Sequence, residues 1–188
     1  MRILAIDTAL EACSVAVFDT EGSSRARSRS LPMARGHAEA LMPLVATVMS
    51  DARTEFDELD RIAVTVGPGS FTGLRVGVAA ARGIGLAADK PVVGLTTLAA
   101  MAVPFIDADD TKSLLVVIDA RHDHVYMQLY GPGGRTLVAP RVVHLRDAIR
   151  AAMASPARIV GNAARIASRR WTTRGATRVR PPGPYNCM

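Results

Sequence analysis

The stretch RIAVTVGPGSFTGLRVGVAAARGIGLA, residues 61–87, decides the fold predicted for this chain. Its first six residues have the apolar character of a buried strand, GPGSFTG (67–73) has the composition of a turn, and residues 72–88 have helical periodicity. Ser70 or Thr72 is available as the N-cap of that helix. A strand, a glycine-rich turn and a helix in this order indicate an α/β unit, in which helices cover a sheet.

The flanking segments extend this unit on both sides. RILAID (2–7) and CSVAVFD (13–19) predict two apolar strands, and residues 24–30 predict an exposed edge strand, which together make a three-stranded meander. The strand over 61–66 is expected to run parallel to the first of these strands. Residues 36–52 predict an amphipathic helix, with Pro43 in its first turn or at a kink. PVVGL (91–95) predicts a further strand, and residues 96–105 predict a third helix.

The opening pattern of the chain recurs 112 residues later, where Ile118-Asp119 corresponds to Ile6-Asp7. Residues 113–131 and residues 1–19 both contain an apolar strand, an Ile-Asp pair, a turn and a second apolar strand. A duplicated strand–Asp–turn–strand unit is typical of the actin/Hsp70/sugar-kinase-like (RNase H-like) fold. We therefore predict an α/β protein with two lobes, residues 1–106 and 107–188. In the second lobe we expect strands near 114–119, 125–130 and 158–162, and a helix over 145–154.

A weak nucleotide site is predicted where the two repeated strands end, because Asp7 and Asp119 are expected to lie side by side near a cleft. The candidate residues are Asp7, Thr8, Gly67, Gly69 and Asp119. Backbone N–H groups at the start of a helix bind anions, but GPGSFTGLR fits neither GxGxxG nor the P-loop pattern. The alternative interpretation is that the carboxylates and the GPG turn only cap local structure.

Neither the cysteines nor the histidines predict a metal site. Cys13 and Cys187 lack metal-ligand spacing and exclude a disulfide scaffold, and His122 and His124 are expected to flank a solvated turn. No catalytic residue is predicted from the residues alone. Without a signal peptide or an apolar run long enough to span a bilayer, the cytoplasm is the expected location.

A stripe of small residues runs along the helix that follows the GPG turn, because Gly73, Gly77, Ala81 and Gly85 recur every four residues. Each glycine costs a helix about 1 kcal/mol relative to alanine, so close packing must compensate. The packing partner could be the chain's own sheet or a helix of another subunit, in a four-helix interface with the helix over 36–52. The predicted interface residues are Leu41, Leu44, Val48, Gly73, Arg75, Gly77, Ala81 and Gly85.

Five segments in order give the chain a resemblance to a known family over about residues 1–130. ILAIDTALEACSVAV (3–17), GHAEALMPLV (36–45), DELDRIAVTVGPGSFTGLRVGVAAARGIGLA (57–87), PVVGLTTLAAMA (91–102) and VVIDARHDHVYMQLY (116–130) are similar to the TsaB (YeaZ) family. The resemblance implies an actin/Hsp70-like fold and a non-catalytic subunit. That subunit pairs with a TsaD-type catalytic subunit to support threonylcarbamoyl transfer to the adenosine beside the tRNA anticodon.

The resemblance also implies particular partners and cofactors. It implies a homodimer in isolation, a TsaE-type ATPase in the complex, and contact with tRNA only through the complex. It implies no cofactor of the chain's own, with a possible nucleotide at the interface with partners. TsaD carries a metal-binding His-x-x-x-His after the strand equivalent to PVVGL, where this sequence has Thr97 and Met101. The alternative function is a nucleotide-dependent enzyme or a glycoprotease-like metallopeptidase relative with activity of its own.

The C-terminal part departs from the family pattern. The chain has a net charge of +6, yet eight arginines and no acidic residue follow Asp147, so the excess charge is confined to the end. From about residue 163 the chain is rich in Arg and Pro, ending in WTTRGATRVRPPGPYNCM (171–188). One interpretation is a frameshifted or truncated C-terminus that alters the second lobe. The other is an authentic basic tail that binds tRNA phosphates.

Overall fold

The computed structural model describes residues 1–21, 26–106, 111–153, 157–164 and 167. Contacts divide the described residues into two compact units, Met1–Thr97 and the described residues from Leu98 to Ala167. The predicted boundary after residue 106 would instead assign the helix over 97–106 to the first unit. Each unit contains its own sheet and its own apolar core.

The first unit is built on a five-stranded sheet with the order β3-β2-β1-β4-β5. The strands are β1 (Arg2–Asp7), β2 (Ala12–Asp19), β3 (Arg27–Pro32), β4 (Arg61–Thr65) and β5 (Val92–Leu95). The strands β1, β2 and β3 pair antiparallel, whereas β4 pairs parallel with both β1 and β5. The predicted meander, with β4 parallel to β1, is therefore confirmed.

Two helices, α1 (His37–Ala52) and α2 (Phe71–Ala88), cover one face of this sheet. Leu41 and Val48 of α1 pack in the same core as Leu4 of β1 and Ile62 of β4, as the helical spacing of apolar residues predicts. Pro43 is the seventh residue of α1, so it lies beyond the first turn, which was one of the two positions predicted for it. A proline at this position removes one N–H donor from the helix.

The second unit repeats the arrangement of the first around a four-stranded sheet. Its elements are α3 (Thr97–Ile106), β6 (Ser113–Asp119), β7 (His124–Tyr130), β8 (Thr136–His144), α4 (Leu145–Ala152) and β9 (Ala157–Val160). The sheet order is β8-β7-β6-β9, with β6 antiparallel to β7 and parallel to β9, as β1 is to β2 and β4. The internal repeat is confirmed, and the protein has the actin/Hsp70/sugar-kinase-like α/β fold.

Strand β8 was not predicted from the sequence. Its residues, TLVAPRVVH, are mostly exposed, so they lack the alternation of apolar and polar residues that marks a half-buried strand. Pro140 also argues against a central strand, but β8 lies at the edge of its sheet, where a proline is tolerated. Within the described ranges, no helix is long and apolar enough to cross a bilayer. The predicted linker (107–110) and the arginine-rich tail (171–188) lie outside the described residues.

Candidate functional site

A backbone hydrogen bond joins the GPG turn to the turn after β1. Ser70 is the N-cap of α2, and its Oγ accepts a hydrogen bond from the N–H of Gly73 at 3.2 Å, which confirms one of the two predicted caps. The N–H of Ser70 donates to the carbonyl oxygen of Ala9 at 2.7 Å. The carbonyl oxygen of Ala9 therefore accepts the hydrogen bond from one of the N–H groups at the start of α2, where a phosphate was considered as the ligand.

Two glycines permit this close approach. A Cβ added to Gly69 would lie 2.3 Å from the carbonyl oxygen of Ala9, and a Cβ added to Gly73 would lie 2.1 Å from that of Thr8. Both distances are far below van der Waals contact, so any side chain at either position would force the backbone to move. The geometry is that of the capped turn, one of the two interpretations given above, and nucleotide binding there stays a prediction.

Asp7 and Asp119 each cap the turn that follows their strand. Asp7 Oδ1 accepts a hydrogen bond from the N–H of Ala9 at 2.9 Å, and Asp119 Oδ1 accepts one from the N–H of Arg121 at 2.8 Å. The same residue type thus forms the same turn in both repeats. Asp7 belongs to the first unit and Asp119 to the second, and their expected proximity stays a prediction.

Each of these aspartates also binds a residue that the sequence analysis did not single out. Thr65, at the end of β4, donates its hydroxyl to Asp7 Oδ1 at 2.8 Å. Asn162, after β9, accepts a hydrogen bond from the N–H of Asp119 at 2.9 Å. Thr65 ends, and Asn162 follows, the strand that runs parallel to the one carrying the aspartate. The parallel pairing of β1 with β4, which was predicted, was the signal that could have identified Thr65.

Thr8 supports the fold rather than an open site. Its side chain is fully buried, and its Oγ1 donates to the carbonyl oxygen of Gly73 at 2.7 Å. Its predicted place among nucleotide-binding residues is therefore wrong for this structure, because the hydroxyl is enclosed between β1 and α2. Nearby Cys13 is also buried, and this burial, with a smaller contribution from the charge of Asp7, raises the pKa of its thiol.

The glycine stripe of α2 faces the chain's own sheet. A Cβ at Gly77 would lie 2.4 Å from Thr8 Oγ1, a Cβ at Gly85 would lie 2.5 Å from Val92 Cγ2, and Ala81 is fully buried. Of the two packing partners considered for the stripe, the sheet is the one found. The predicted assignment of these residues to a subunit interface is wrong for this structure. The same correction applies to the other buried members of the predicted set, Leu41, Leu44, Val48 and Gly73.

Of the predicted interface residues, Arg75 alone is exposed, and it lies on the opposite face of α2. Its guanidinium lies 4.3 Å from the ring centroid of Phe71, a cation–π contact at the start of the helix. Phe71 is 71% exposed and Leu86, near the end of α2, is 88% exposed. Phe71 and Leu86 were missed, although a position two residues before Gly73 and a position one residue after Gly85 both lie off the i, i+4 line of the stripe.

The described residues also contain no group of three or more His, Cys, Asp or Glu side chains that could hold a metal ion. His122 and His124 lie in and beside an exposed turn, where Arg121, His122 and Asp123 all have positive φ. Thr97 is the first residue of α3, and Met101 lies in its second turn. Thr97 is fully buried, and neither residue is a ligand for a hard metal ion.

Comparison with known proteins gives the same family at the levels of sequence and structure. A family model described as "TsaD: tRNA N6-adenosine threonylcarbamoyltransferase" matches residues 32–186. The Escherichia coli K12 "tRNA threonylcarbamoyladenosine biosynthesis protein TsaB" is 36% identical over 155 residues, 78% of this chain and 66% of the relative. The Haemophilus influenzae protein of the same name is 32% identical over 126 residues, 67% of this chain and 52% of the relative.

A solved structure, "YeaZ from Pseudomonas aeruginosa", superposes with a TM-score of 0.67 at 32% identity, covering 77% of this chain and 68% of that one. The chain spans between about half and two thirds of the length of the curated relatives named above. The matched segment includes α1, the GPG turn and α2, which carry the close glycine contacts. The chain belongs to the TsaB (YeaZ) family.

Proposed function

We propose that this protein is a non-catalytic subunit of the machinery that forms threonylcarbamoyladenosine in tRNA. The observation that supports this proposal most directly is the similarity to relatives named as biosynthesis proteins for that nucleoside. The proposal gives this chain no chemistry of its own. It is supported by Thr97 and Met101, which stand where the resemblance places two metal-binding histidines in TsaD. The location that follows from this role is the cytoplasm.

The proposed binding surface for a TsaD-type catalytic subunit is the outer face of α1 and α2, which we define by Met42, Phe71, Arg75 and Leu86. Met42 is 47% exposed, and Phe71 and Leu86 are exposed by 71% and 88%. Large apolar side chains and arginine are the types enriched at the centre of protein interfaces. Because α1 and α2 share one core beneath this face, a partner would meet a rigid pair of helices.

Three finer points of the proposal come from the family resemblance. In isolation the chain forms a homodimer through the same outer face, which the catalytic subunit then displaces. A TsaE-type ATPase joins the pair, and a nucleotide binds where the partners meet. The homodimer and the heterodimer exclude one another under this proposal, because both use the same four side chains.

The test is the light-scattering mass of the chain after size-exclusion chromatography, alone and mixed with the TsaD-type subunit of the same organism. The expected result is a one-to-one heterodimer that replaces a homodimer. Leu86→Arg should weaken that heterodimer at least tenfold, because it places a charge in the proposed interface. Met153→Arg is the matched control, since Met153 is 55% exposed beyond the end of α4.

Two results would contradict the proposal. Unchanged heterodimer affinity in Leu86→Arg, with unchanged thermal stability, would exclude the outer face as the binding surface. ATP hydrolysis or proteolysis by the isolated chain that is lost in Asp7→Ala would support the alternative, an enzyme with activity of its own.

A further inference from the structure

The first unit has a basic groove that neither the family resemblance nor the proposed function uses. It is an open cavity of about 660 Å³ between β3 and the end of α1, lined by Arg27, Ser28, Arg29, Asp51, Ala52 and Arg53. We name it the β3 groove. Three of its six lining residues are arginines and one is acidic, so its walls carry an excess of positive charge.

The arginines converge because of regular backbone geometry. Arg27 and Arg29 alternate along β3, so both side chains lie on the same side of the sheet. Arg29 forms a 2.7 Å ion pair with Asp51 of α1, so this is the side that α1 covers. Arg53 follows as the C-cap of α1, with a left-handed φ of 49°. One strand and one helix end thus bring three guanidinium groups to the same groove.

Two of the three positive charges remain uncompensated. Among the described residues of the lining, Asp51 is the only acidic one, and Arg29 already neutralises it. Arg27 and Arg53 have no ion-pair partner of their own among the described residues, and both are exposed. Since β3 lies at the edge of its sheet, no neighbouring strand in the described part of the chain closes this side of the groove.

The chemistry of the groove fits phosphate groups of an extended polyanion. A guanidinium forms paired hydrogen bonds with phosphate oxygens, and its charge is not lost by deprotonation. Ala52 is the one apolar residue in the described part of the lining, so the groove offers little to a buried base or to an apolar side chain of a protein. An open, polar, cationic surface matches a sugar-phosphate backbone, which remains partly hydrated when bound.

We propose that the β3 groove binds the phosphate backbone of RNA directly. The identity of that RNA as a tRNA rests on the proposed function, whereas the phosphate chemistry does not. This assignment differs from the resemblance, which implies tRNA contact only through the complex. It also differs from the arginine tail, because the groove lies wholly within residues 27–53.

The test is the salt dependence of RNA affinity, measured by fluorescence anisotropy with an unmodified tRNA transcript and the full chain. Arg27→Gln with Arg53→Gln removes the two uncompensated charges and leaves the Arg29–Asp51 pair intact. Loss of two phosphate contacts should reduce the slope of log K against log salt by about 1.5. If the two proteins bind equally at 1 M salt, that reduction corresponds to about 30-fold weaker binding of the variant at 0.1 M salt.

The matched control is Arg61→Gln with Arg135→Gln, which removes the same charge from two exposed positions outside the groove. Arg61 begins β4, three strands away from β3, and Arg135 belongs to the second unit. We expect this control to change the slope by less than half as much. Equal losses in the two double variants would overturn the proposal, because the chain would then attract RNA only through its net charge.

A competition experiment distinguishes recognition of phosphate groups from recognition of carboxylate groups. Polyglutamate of equal charge should compete with the transcript at least tenfold less effectively than a second RNA does. Equal competition would assign the groove to an acidic protein segment and overturn the proposal. In a reconstituted modification assay, intact RNA affinity without any stimulation of the TsaD-type subunit would contradict the proposed function while leaving the groove assignment in place.

Discussion

Two glycines of the same helix should respond in opposite ways to substitution by alanine. Gly73 and Gly83 both lie in α2, and alanine at either position gains about 1 kcal/mol of helix propensity. An added Cβ at Gly83 meets no atom within 4 Å, so Gly83→Ala should raise the free energy of unfolding by about 0.5–1 kcal/mol. Gly83→Ala is therefore the matched control for Gly73.

Gly73→Ala should be strongly destabilising. Its Cβ would lie 2.1 Å from the backbone oxygen of Thr8, which cannot rotate away as a flexible side chain would. Overpacking of this kind costs about 1–3 kcal/mol, and a backbone contact belongs at the upper end of that range. After subtraction of the propensity gain, we expect a net loss of about 2 kcal/mol. For a unit of this size, that loss lowers the melting temperature by about 10 °C.

The assay is urea denaturation of both variants and of the wild-type chain, followed by far-UV circular dichroism with comparison of m-values. A Gly73→Ala chain that is as stable as Gly83→Ala would refute the inference that the stripe faces the chain's own sheet. It would restore the interpretation in which the glycines lie on a free surface and pack against another subunit.

Two smaller predictions test contacts around the first unit. Thr8→Val keeps the shape of the side chain but removes the donor to Gly73 O, so the unfolding free energy should fall by about 1 kcal/mol in urea titrations; an equally stable variant would contradict the assigned hydrogen bond. The pKa values of Asp19 and Glu58 are lowered, first by a hydrogen bond from a backbone N–H and then by Arg2. Groups with lowered pKa values stabilise the fold above their unfolded pKa, and this contribution is lost as the pH falls through the folded values. Thermal melts between about pH 6 and 2 should therefore show acid destabilisation that is smaller in Arg2→Gln, and identical profiles would argue against it.

The sequence predicted most of the fold because local patterns and topology agree in this chain. The Ile-Asp repeat located both sheets, and the sheets indeed share their strand order. Strand β8 was not predicted because an exposed edge strand needs no alternation of apolar and polar residues and tolerates Pro140. Burial on one side of a strand leaves a periodic signal in the sequence, whereas hydrogen bonding at a sheet edge leaves almost none.

The candidate site was less predictable than the fold. The sequence identified the glycine stripe of α2 but not the surface that packs against it. A row of residues with small side chains indicates close packing on that face of the helix, but not which part of the protein packs there. The structure shows that the close neighbours are Thr8, on the turn after β1, and Val92. The β3 groove was missed for a related reason, since Arg29 and Arg53 are far apart in sequence and meet only when α1 packs beside the meander.

The two opposite faces of α2 have a consequence for protein engineering. The inner face packs closely against the sheet and the turn after β1, so its glycines are required for folding whether or not a partner binds. The outer face, with Phe71 and Leu86, makes little contact with the rest of the chain. Side chains of the proposed binding surface can therefore be replaced without redesigning the core, so that its specificity can be changed while the fold stays the same.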